Sequence, residues 1–102
     1  MSEENSGPGE SSETPELTPP TPSLTALVET HALQVLLFTG KQPHPQTGEL
    51  MTNLPMAKYN IDIIEILKEK TAGNLTEEES AMLDRYIHLA RMAYVDASEK
   101  KD

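Results

Sequence analysis

The chain has 102 residues, a formal net charge of −9 and no cysteine. That length bounds it to one small domain, and the missing thiols exclude disulfides, thiolate metal sites and thiol catalysis. The acidic balance and a 4% aromatic content argue against nucleic-acid binding, because an acidic surface repels a phosphate backbone.

The first 23 residues, MSEENSGPGESSETPELTPPTPS, hold five of the eight prolines, five glutamates and no lysine or arginine. Met1 and Leu17 are their only apolar side chains besides proline. Such a segment cannot bury enough apolar surface to offset its chain entropy, so residues 1–23 are expected to form a disordered, solubilising tail. The acidic start has no apolar run and does not resemble a secretory signal. No stretch approaches the length of a membrane span. The expected location is the cytoplasm.

Residues 24 to about 39 predict a first helix. Ser23 is a suitable N-cap and Gly40 a natural terminator. Leu24, Leu27, Val28, His31, Val35 and Phe38 recur at helical spacing. Ala26, Leu33, Leu36 and Leu37 point the other way, so the second half of the helix is apolar nearly all round. His31, on an apolar stripe, is expected to be a packed histidine bonded to backbone or carboxylate.

Residues 40–53, GKQPHPQTGELMTN, are long for a link between helices. Pro43 and Pro45 stiffen the loop, and Thr47-Gly48 suggests a turn. The loop lacks the glycine spacing and lysine-to-hydroxyl ending of a phosphate loop. It is expected to be a rigid strap that carries Leu50 and Met51 to the core.

Residues 54 to about 72 predict a second helix, capped by Asn53 with Pro55 in its first turn. Ala57, Ile61, Ile64 and Thr71 make one face; Met56, Tyr59, Ile63, Ile66 and Leu67 make the adjoining one. At roughly 100° per residue the apolar arc exceeds half the circumference, so this helix is expected to be central or shared between subunits.

KTAGNLTEEE, residues 70–79, reads as a corner. Gly73 tolerates the left-handed geometry that closes a helix, Thr76 caps the next, and Glu79 completes a capping box. Three consecutive helical glutamates point in different directions and do not converge on one cation. Residues 77 to about 97 then predict a third helix, with Met82, Leu83, Tyr86, Ile87, Ala90, Ala93, Tyr94 and Ala97 as its stripe. Residues 98–102 are polar and are expected to fray. The fold class is all-α, with three helices over residues 24–97.

Residues 24 to about 97 resemble the bacterial family called domain of unknown function 1844. The likeness rests on ALQVLLFTGK, the PQTGE loop, NLPMAKYNIDIIEILKEKTAGNLTEEE and the closing LARMAYV. KTAGNLTEEE is its most specific element. Thr39-Gly40 and Ala90-Arg91 stand where the family typically has Leu-Gly and Leu-Arg. The resemblance implies a small, cytosolic, helical bacterial protein; no activity, cofactor or catalytic residue comes with it.

Catalysis needs groups that converge, and the three histidines, His31, His44 and His88, fall in three different elements. No metal-ligand spacing and no dinucleotide fingerprint is present. The expected function is therefore non-enzymatic: a protein-interaction or oligomerisation module with no cofactor or metal. It would associate with itself, a dimer being favoured, or with another protein, but not with nucleic acid or a membrane. So short a chain makes only a modest core, and its helices carry more apolar surface than three helices can cover. Leu33, Leu36, Leu37, Met56, Ile63 and Ile66 are the candidate interaction surface. The alternative is a small ligand-binding protein or enzyme with Lys41, His44 and Glu49 converging beneath the 40–53 loop.

Overall fold

A computed structural model describes residues 18–100. The expected disorder over residues 1–17 and the fraying of residues 101–102 lie outside the described residues. Thr18–Ser23 carry no regular structure and are exposed. Three helices follow: α1 (Leu24–Phe38), α2 (Leu54–Lys70) and α3 (Glu77–Lys100). The all-α expectation holds. Each helix packs on both others.

The helix ends are where the residue chemistry sets them. The Ser23 hydroxyl accepts from the Ala26 amide at 3.0 Å, and Asn53 Oδ1 accepts from the Met56 amide at 3.1 Å. Thr76 and Glu79 form a reciprocal capping box, with both bonds 3.0 Å long. At the end of α1, the Gly40 amide donates to Leu37 O and the Lys41 amide to Leu36 O, around a Gly40 φ of 76°. This is the Schellman pattern, which satisfies carbonyls the helix leaves open. The second helix ends at Lys70, earlier than expected. Gly73, at φ 88°, instead occupies a turn closed by the Asn74 amide on Thr71 O. The third helix runs on to Lys100, three residues past its expected end.

Specific pairs fix how the helices run. His31 meets Asn60, and Thr39 bridges Thr52, which sets α1 and α2 antiparallel. Glu65 binds Arg91 and Lys68 binds Asp84, which sets α2 and α3 antiparallel. Glu29 accepts from Tyr86, and Lys41 pairs with Asp96, so α1 and α3 run parallel.

The core has two levels. At one, Val28, Ala32, Ile64, Met82, Leu83 and Ile87 pack together under Leu24, Leu67, Leu75 and Tyr86. At the other, Val35, Ala57, Ile61, Ala90 and Ala93 pack with Leu36, Phe38 and Tyr94. Three alanines in the second cluster let the helix backbones approach closely, and the larger Phe38 and Tyr94 close its rim. Among the described residues, the third helix supplies half of the twelve buried apolar side chains, all on the stripe that its periodicity predicts.

Four expectations are corrected. Leu27 is 45% exposed, because the inner face of α1 is centred on Val28, Ala32 and Val35 and leaves Leu27 at its edge. The second helix is not central: Tyr59 and Ile66 on its outer side are about half exposed. Leu50 is 65% exposed and does not reach the core, and Met51 is only half-buried. The Thr39–Thr52 bridge holds the strap beside α1, leaving Leu50 outside it. Finally, His31 binds neither backbone nor carboxylate but a side-chain amide, that of Asn60.

Candidate functional site

The 40–53 strap has an ordered base and a tight tip. Its base is the Thr39–Thr52 bridge, with the Asn53 amide donating to Phe38 O at 2.7 Å. At its tip the His44 amide donates to Glu49 O and the Gly48 amide to His44 O, both at 2.8 Å. His44 Nδ1 accepts from the Gln46 amide at 3.1 Å, which ties one ring nitrogen to its own turn.

Beside the strap lies an open cleft of about 660 Å³, lined by Thr39–Lys41, Leu50–Pro55, Asp96 and Ala97. Lys41 lines it but is paired with Asp96. His44 and Glu49 do not line it. His44 and Glu49 are joined through their backbones at the tip of the strap, but Lys41, His44 and Glu49 do not share this cleft. Among the described residues, no group of three or more carboxylates and histidines is placed to hold a metal ion, and no helix is long and apolar enough to cross a membrane.

The apolar candidates lie elsewhere. Leu33, Met56 and Ile66 are exposed; Leu36, Leu37 and Ile63 are half-buried. Leu36 packs onto the second core cluster. The strap comes alongside the first helix, where Leu33, Gln34 and Leu37 form a groove of about 260 Å³ with Gln42, Pro43 and Pro45. It leaves Leu33 58% exposed, so it does not seal this surface.

Sequence reasoning missed an apolar row on the third helix. Leu89, Met92 and Val95 are 43%, 54% and 46% exposed, on the side opposite the core stripe. Their three-residue spacing was the available signal. It is masked by the stronger stripe on the same helix, which already accounts for a buried face. The register set by Glu29–Tyr86 and Lys41–Asp96 brings Leu33 of α1 level with Leu89 of α3.

These features define a small three-helix protein with apolar side chains left in solvent on every helix. Residues 21–96 match the family model described as Domain of unknown function (DUF1844), and the chain belongs to that family. No curated protein and no solved structure matches the chain.

Proposed function

We propose that this protein is a helical interaction module that works by self-association, its first partner being a second copy of the same chain. The observation that carries the reading is the exposed apolar area. Nine large apolar side chains, from Leu27 to Val95, are more than one-third exposed among the described residues. Scattered single examples are ordinary on a monomer, but rows at helical spacing on adjoining helices are the pattern of a surface that meets a partner. Leu33, Met56, Tyr59, Ile66, Leu89, Met92 and Val95 supply this exposed area, while Leu36, Leu37 and Ile63 are half-buried and contribute less. Closed two-fold dimers are the commonest way to cover such area.

Sedimentation equilibrium of the full chain tests the proposal. The expected result is a concentration-dependent mass approaching twice the 11.3 kDa of one chain. A mass that stays at one chain across the accessible concentration range removes the reading. A ligand site in the end cleft has less support, because its one lysine already has a carboxylate partner.

A further inference from the structure

We infer that two copies pair through α3 in antiparallel fashion, with the two-fold axis passing beside Met92. This rests on the self-association proposed above and names the surface and its register. The outer face of α3 is self-complementary about that one residue. Leu89 lies three positions before Met92 and Val95 three after it; Arg85 lies seven before and Glu99 seven after. At roughly 100° per residue, Leu89 and Val95 sit about 60° to either side of Met92, and Arg85 and Glu99 about 20° to either side.

An antiparallel two-fold operation exchanges these positions. It sets Met92 against its own copy and Leu89 of one chain against Val95 of the other, while Arg85 faces Glu99 twice over. All five side chains are exposed. Arg85 and Glu99 form no ion pair within the chain among the described residues, so both charges are free for a second copy. The contact spans Arg85 to Glu99, roughly 21 Å of helix. Leu33 on α1, level with Leu89, widens it.

The outer face of α2 fails the same operation. Centring the axis between Tyr59 and Ile66 sets Met56 against Glu69, an apolar side chain against a carboxylate. Charge complementarity therefore selects α3 over α2.

The chain contains no cysteine, so a single introduced thiol reports on its own symmetry mate. Met92→Cys and Tyr59→Cys would each be oxidised at a concentration where the parent chain sediments as a dimer. The expected result is rapid disulfide-linked dimer for Met92→Cys and none for Tyr59→Cys. In parallel, Arg85→Glu and Glu99→Arg each place like charges together at two symmetric points. Each is expected to raise the dimer dissociation constant roughly tenfold or more, and the double swap to restore it. Circular dichroism of each variant controls for folding. A dimer that cross-links through Tyr59→Cys and not Met92→Cys, or a double swap no tighter than either single change, overturns the α3 pairing and leaves self-association standing. A parent chain that stays monomeric overturns both.

Discussion

His31 Nδ1 lies 2.8 Å from Asn60 Oδ1, and Asn60 Nδ2 donates to Met56 O at 2.9 Å. Asn60 is 1% exposed, so both ends of a buried amide are satisfied, one by a neighbouring helix and one by its own. Its oxygen can only accept, so His31 carries its proton on Nδ1. The pair ties α1 to α2 between the two core levels and disfavours any register that separates it, because a buried amide without partners is costly.

Asn60→Ala is therefore expected to destabilise the fold by about 1–3 kcal/mol, from the lost bond, the unpaired imidazole N–H and the space left behind. His31→Ala should cost less, since His31 is only half-buried. Urea denaturation followed by circular dichroism would rank them. An Asn60→Ala midpoint equal to the parent's would show that the pair does not hold the register.

Ile64 is fully buried at the centre of the larger core cluster. Ile64→Ala should cost about 2–5 kcal/mol, whereas Ile66→Ala, two residues along and 48% exposed, should change the stability of the single chain by less than about 0.5 kcal/mol. The comparison is made on the same helix at high dilution, where association does not contribute.

The capping box at the second corner gives a graded test. Thr76→Ala removes the acceptor for the Glu79 amide and should cost about 0.5–2 kcal/mol. Glu79→Gln keeps an oxygen for the Thr76 amide and should cost only a fraction of that. Thermal melts of the two variants would separate the caps from the bland effect of any exposed substitution.

The Tyr86 hydroxyl donates to Glu29 Oε2 at 2.9 Å. That hydrogen bond, then partial burial, then the Glu29 charge hold the phenol above its ordinary value of 10.0. The folded protein thus binds this proton more tightly than the unfolded chain. The resulting stabilisation is fully present below about pH 10 and is lost as pH rises through the raised folded value. Tyr86→Phe should cost about 0.5–1 kcal/mol at neutral pH, and its deficit relative to the parent should shrink above pH 10. Urea midpoints for both chains between pH 8 and 11 measure this; a constant difference would mean the bond is not formed in solution.

Much of the fold is legible in the sequence because it is written in local chemistry. Ser23, Asn53, Thr76 and Glu79 cap the helices as their residue types require, and the α3 stripe is readable from spacing alone. What escapes is rotational phase. A shift of one residue turns a helix by about 100°, and hydropathy cannot fix it when apolar residues ring the helix. Leu27 is read as inward and lies outward, while Ala32 and Asn60, one small and one polar, are buried without announcing it. The interaction surface is legible as an excess and not as a place. Leu33 and Ile66 are recognisable as surplus, but Leu89, Met92 and Val95 become visible only once the core stripe is assigned.

The strap between α1 and α2 is pinned at its foot by the Thr39–Thr52 bridge and turned back at its tip between His44 and Gly48. Its apex, Gln46 and Thr47, is exposed and remote from both core levels. Lengthening the chain there adds closure entropy only slowly, since the bridge already holds the ends together. The apex is thus a natural graft point, where a reporter tag or the seam of a circularly permuted chain would leave the bundle beneath undisturbed.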